Sequence, residues 1–163
     1  MTYLLSIFLG NNAGYHNLGS QYNDEEGTRN IFIGFSAGYI NKWGYNNIYI
    51  GDSTGYLSES AHDNVFIGNS AGFNTEGDDI YNASHNVFIG SLAGYKNIEG
   101  FHNVYIGHET GYANLNGYGN AFIGGGAGIS NTRSNNTYIG GASFYDNTTG
   151  TQNTGLGAYS GQN

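Results

Sequence analysis

Apolar residues come in short bursts along this chain, and each burst has the same internal order. In Asn86-Val87-Phe88-Ile89-Gly90-Ser91-Leu92-Ala93-Gly94-Tyr95, an asparagine precedes an aliphatic, an aromatic and an isoleucine, and a glycine closes the run. Two variable residues then lead into an Ala-Gly-aromatic cluster. The order recurs over residues 30–39, 47–56, 64–73, 103–112 and 120–129, with degraded copies starting at Ser6, Asn136 and Asn153. The glycine after the isoleucine falls at Gly10, Gly34, Gly51, Gly68, Gly90, Gly107, Gly124, Gly140 and Gly157, in steps of 24, 17, 17, 22, 17, 17, 16 and 17 residues. A fixed period with two longer steps marks a solenoid, in which each repeat is one coil stacked on its neighbours.

The local chemistry makes those coils β. Triplets such as Val65-Phe66-Ile67 favour strands, and the glycine after them permits the positive φ of a sharp corner. No heptad or 3.6-residue period is present, so helices are not indicated. The sequence predicts an all-β β-solenoid (β-roll or β-helix) of about nine coils over residues 1–163, one domain with Gly34, Gly51, Gly68, Gly90, Gly107 and Gly124 as corners. At about 4.8 Å per coil the rod is roughly 40 Å long.

Alternation along a strand puts Val87 and Ile89 on one side and Phe88 on the other. A narrow interior suits the aliphatic pair, with Ala93 completing it. The aromatics are then expected to face outward in two columns. The first is Phe8, Phe32, Tyr49, Phe66, Phe88, Tyr105, Phe122 and Tyr138; the second is Tyr15, Tyr39, Tyr56, Phe73, Tyr95 and Tyr112, interrupted by Ile129. The asparagine opening each repeat is expected to form a ladder, its amide bonding the next asparagine or the turn backbone. Three aliphatics per coil bury too little apolar surface to offset the ordering of a whole coil, and an outward aromatic stripe is a large exposed patch. Both points predict burial of the aromatics against other copies of the chain, as a parallel homotrimer; the repeat running close to both ends suggests instead, or as well, subunits stacked head to tail in a filament.

Composition narrows the function. There are 29 Gly but no Pro or Cys, and the 15% aromatic content argues against disorder. A formal charge of −8 repels phosphate backbones, so nucleic acid is not an expected partner. No stretch approaches the roughly 20 apolar residues that span a bilayer, so membrane insertion is not expected either. Insertions near residues 19–27 and 76–84 carry Asp24, Glu25, Glu26, Asp78 and Asp79. They are the place where Ca²⁺ would be considered, but neither has a calcium-loop spacing, and solvated loops are the expectation. The repeat begins within the first ten residues and still runs at Asn163, so both ends are expected to be uncapped.

No nucleophile-His-acid set, phosphate loop, dinucleotide fingerprint or zinc spacing is present, and the expectation is a non-enzyme with no catalytic residue, metal or cofactor. His85 and His102 share the slot just before the repeat asparagine, and surface or turn histidines are the expected reading.

The unit Asn-x-(Phe/Tyr)-Ile-Gly-x-x-Ala-Gly-Tyr and the run from Asn147 to Gly157 resemble the repeat arrays of phage tail fibres and bacterial surface proteins, often found ahead of an endosialidase-type intramolecular chaperone domain. More distantly they resemble the head of trimeric autotransporter adhesins. The resemblance implies a left-handed, homotrimeric β-roll in a fibre that contacts a cell surface. The expected function is therefore a structural fibre or adhesin module, extracellular or on a virion, assembling with itself and meeting a cell-surface glycan or receptor. The alternative is a carbohydrate-binding module using the outward Tyr/Phe columns.

Overall fold

The computed structural model describes residues 5–19, 26–77 and 83–162. Asp24, Glu25, Asp78 and Asp79, four of the five acidic residues raised for Ca²⁺, lie outside the described residues, and Glu26 lies within them. Each β-branched or aromatic triplet forms a strand of three residues: β1 Ile7–Leu9, β2 Ile31–Ile33, β3 Ile48–Ile50, β4 Val65–Ile67, β5 Val87–Ile89, β6 Val104–Ile106, β7 Ala121–Ile123, β8 Thr137–Ile139 and β9 Thr154–Leu156. All nine lie in one parallel sheet in sequence order. Like sits opposite like, Val65 on Val87, Phe66 on Phe88 and Ile67 on Ile89. No helix occurs among the described residues, and the fold is a β-solenoid with a repeat near 17 residues.

Pairing does not stop at the strand ends. The Gly94 N–H donates to the Thr110 carbonyl (3.0 Å), Lys96 to Tyr112 (3.1 Å), Glu109 to Ser91 (3.0 Å) and His102 to Ser84 (3.1 Å). Coils are thus zipped together through their turns as well, which satisfies backbone groups that a tight turn would otherwise bury unpaired. Two glycines per coil make this spacing attainable. Gly90 sits at φ 135°, and a Cβ there would overlap the carbonyl of Gly107 on the next coil. Gly94, at φ 60°, faces the ring of Phe88, which a Cβ would strike.

The faces of the strand are the reverse of the sequence expectation. Phe32, Tyr49, Phe66, Phe88, Tyr105, Phe122 and Tyr138 are all fully buried inside the chain's own coils, not outward against other chains. They stack with ring centroids 4.6–5.0 Å apart and planes within 12°. Ala37, Ala71, Ala93 and Ala127 close the core from the opposite wall. Val87 and Ile89, expected inside, lie on the outer face instead. The physical reason is width. With one short strand and broad turns per coil, the cavity holds one flat ring per rung, and glycine in the Ala-Gly pair makes room for it. Stacked aromatics also supply the apolar burial that the aliphatics alone could not. Seven coils are filled in this way; at the ends Phe8 is 40% exposed, and beyond Tyr138 the strand carries Gly155 while the ring of Phe144 stacks on Tyr138 at 4.5 Å in its place.

Candidate functional site

Three side-chain columns line the surface of this fold and two polar ones lie inside it; the sequence expectation puts the first surface column on the opposite face. The outer surface of the sheet carries Ile31, Ile48, Val65, Val87 and Val104 beside Ile33, Ile50, Ile67, Ile89, Ile106, Ile123 and Ile139. The first group is half-buried, while Ile89, Ile123 and Ile139 are 36–40% exposed and Leu156 is 78% exposed. The eight rungs from Ile33 to Leu156, in register at about 4.8 Å, make this an aliphatic stripe roughly 34 Å long.

The second aromatic column lies at the surface. Tyr15 is exposed, and Tyr39, Tyr56, Phe73, Tyr95 and Tyr112 are half-buried. Their rings stack nearly parallel at 4.9–5.3 Å, so each covers the faces of its neighbours and turns its edge outward.

Inside, the repeat asparagines form a continuous ladder. The backbone N–H of each donates to the side-chain oxygen of the one before it: Asn47 to Asn30 (2.9 Å), Asn64 to Asn47 (3.1 Å), Asn86 to Asn64 (2.9 Å), Asn103 to Asn86 (3.0 Å) and Asn120 to Asn103 (3.0 Å). The amide nitrogen reaches a turn carbonyl, as from Asn86 to Gly100 and from Asn103 to Gly117, both 2.8 Å. These residues are consumed by the fold.

A second buried polar column escaped the sequence reading. It comprises Asn41, Ser58, Thr75, Asn97, Asn114 and Asn131, each nine residues after a core aromatic. Where that aromatic is tyrosine the column meets its hydroxyl: Ser58 lies 2.5 Å from Tyr49, and Asn114 donates to Tyr105 at 2.7 Å. Burial pushes the phenols of Tyr49, Tyr105 and Tyr138 up, against the opposing pull of these hydrogen bonds. Where the aromatic is phenylalanine, at Phe66 and Phe88, Thr75 Oγ1 and Asn97 Oδ1 are left without a partner. The spacing of nine was the signal available in the sequence.

The third column runs along the edge before each asparagine. The ring of His62 lies flat on Tyr45 at 4.6 Å, and His85 packs edge-on between His62 (5.7 Å) and His102 (5.1 Å). His62 Nδ1 is 2.9 Å from Asp63 Oδ2, and His85 Nε2 is 3.8 Å from the same oxygen. Asn46 donates to the other oxygen, Oδ1, at 2.9 Å. Partial burial pushes the Asp63 carboxyl up, but the hydrogen bonds from His62 and Asn46 and the nearby imidazoles outweigh it and hold it below the ordinary carboxylate value. The sequence reading paired His85 with His102; the fold brings in His62 and Asp63 as well.

The surface concavities are shallow. One of about 530 Å³ is lined by Glu99, Phe101, Asn116 and Tyr118, a stacked aromatic pair with one carboxylate and one amide. It holds no nucleophile-base pair. No helix of the described residues is long and apolar enough to cross a membrane. No protein-family model, no curated protein and no solved structure matches the chain.

Proposed function

We propose that this chain is a non-enzymatic structural module that assembles side by side with further copies of itself, in a fibre or adhesin at the exterior of a cell or virion. The aliphatic stripe on the outer face of the sheet carries this reading. Parallel sheets are almost always covered on both faces, because their strands are apolar on both sides. Here the inner face is filled by aromatics, and the outer face presents one column of Ile and Leu along the rod and a second of Ile and Val from β1 to β6 that turns to Ala121, Thr137 and Thr154 after it. A stripe of this length exceeds the scattered apolar exposure of ordinary monomers. Copies related by a rotation axis along the rod would cover one another's stripes; a two-fold pair is the smallest closed arrangement with every stripe inside, and the homotrimer that the sequence resemblance implies is the next. Assembly therefore rests on the aliphatics, not on the aromatic columns that the sequence suggested.

Sedimentation velocity of the purified chain at micromolar concentration tests this. The expected result is a discrete oligomer, and Ile89→Asp with Ile123→Asp is expected to release folded monomers with an unchanged circular dichroism spectrum. A monodisperse wild-type monomer would overturn the proposal.

Sugar binding along the Tyr15-to-Tyr112 column is the second reading, favoured by the regular row of surface rings. Sugars stack on ring faces, however, and here the faces are taken by neighbouring rings. Glycan-array binding lost in Tyr56→Ala and Tyr95→Ala would support it over lateral assembly.

A further inference from the structure

We infer that His62, Asp63 and His85 form a binding site for a first-row divalent cation of the Zn²⁺ type. One ligand atom from each residue lies within 4.8 Å of the other two. The shorter separations, 2.9 and 3.8 Å, bracket the roughly 3.4 Å between neighbouring ligands in a tetrahedral zinc site with bonds near 2.0–2.1 Å. Closing the set requires only side-chain rotation, and His85 is 53% exposed and able to make it. Two imidazoles and one carboxylate suit zinc, nickel or cobalt better than calcium or magnesium, which prefer all-oxygen shells.

The backbone already holds the donors on neighbouring coils. The His85 N–H donates to the His62 carbonyl at 3.2 Å, and the His62 N–H donates to Ser84 Oγ at 3.1 Å. The outer groups are also in place. Asn46 fixes Asp63 through Oδ1, which leaves Oδ2 turned toward both histidines, and Tyr45 fixes the plane of the His62 ring. Such orienting contacts accompany most metal-bound histidines and carboxylates. His85 and the neighbouring His102 are both exposed, so the cluster is open to a solvent ligand. The chain's net charge of −8 favours a cation throughout.

Titration calorimetry of the chelator-treated full chain with Zn²⁺, and visible absorption with Co²⁺ as a spectroscopic probe, test the site. Saturable one-to-one binding is expected, with cobalt d–d bands of a four-coordinate nitrogen and oxygen site. His85→Asn and Asp63→Asn are each expected to weaken binding at least roughly tenfold. Both replacements tolerate the left-handed backbone at these positions, φ 60° and 56°, so the fold persists. His108→Gln, at a separate surface histidine, is expected to leave binding unchanged. Absence of saturable binding, or equal affinity in wild type and both variants, would overturn the inference. So would loss of binding in His108→Gln alone.

Discussion

Phe88→Tyr places a hydroxyl in the fully buried core, a change that ordinarily destabilises a protein. Here the opposite sign is expected, or none. In the next coil Tyr105 already carries that hydroxyl, stacked on Phe88 at 4.8 Å with the planes 5° apart, and Asn114 bonds it at 2.7 Å. Asn97 occupies the equivalent position for residue 88, and its Oδ1 has no partner. A new bond contributes about 0.5–1.5 kcal/mol and relieves an unsatisfied buried acceptor. Fitting one extra atom costs about 1 kcal/mol at the low end of overpacking, because the neighbouring rung shows that the space exists. The net expectation lies between no change and about 1 kcal/mol of added stability. Urea unfolding, followed by far-ultraviolet circular dichroism, measures it. In an Asn97→Ala background the hydroxyl loses that partner and keeps only Asn103, the counterpart of the Asn120 beside the Tyr105 hydroxyl, and the same change should be less favourable by about 0.5–1.5 kcal/mol. Destabilisation beyond about 1.5 kcal/mol in the wild-type background, or equal effects in the two backgrounds, would refute the pairing of the two buried columns.

Other outcomes follow from the same geometry. Asn86→Ala strips the partner from the buried Asn103 N–H and leaves the Gly100 carbonyl with Asn97 alone, and should cost roughly 1–3 kcal/mol in urea unfolding; the exposed Asn116→Ala should stay within about 0.5 kcal/mol. Alkali should unfold the chain early. The phenols of Tyr49 and Tyr105 have folded pKa values raised above the unfolded value near 10, so their contribution is complete below about pH 10 and falls as pH rises past it. Each can remove up to about 1.4 kcal/mol per pH unit in that range, and Tyr49→Phe with Tyr105→Phe should flatten the slope of stability against pH between 10 and 12.

The repeat, its corners and the asparagine ladder were legible because each depends on one residue type at a fixed spacing. The choice of inner face was not, since alternation states which residues share a side and not which side is dry. Yet the answer was implicit in two positions. Asn86 and Phe88 are two apart and so share a face, and a hydrogen-bonded asparagine ladder belongs inside. The shortfall in aliphatic burial pointed the same way, but it was assigned to contacts between chains instead of contacts within one. The His62–Asp63–His85 cluster was hidden for a different reason. It joins two slots of the repeat across the 22-residue step, so no fixed spacing in the sequence announces it.

That step and the 24-residue one have a separate consequence. Ile7 still pairs with Ile31 and Val65 with Val87, in the register that every 17-residue coil keeps. Coil height and coil perimeter are therefore independent variables. Adding a whole repeat lengthens the rod by one rung, whereas adding residues at either long step leaves every rung where it was. Evolution or a protein engineer can graft a peptide at those two points, and change reach by whole coils, without redesigning the core.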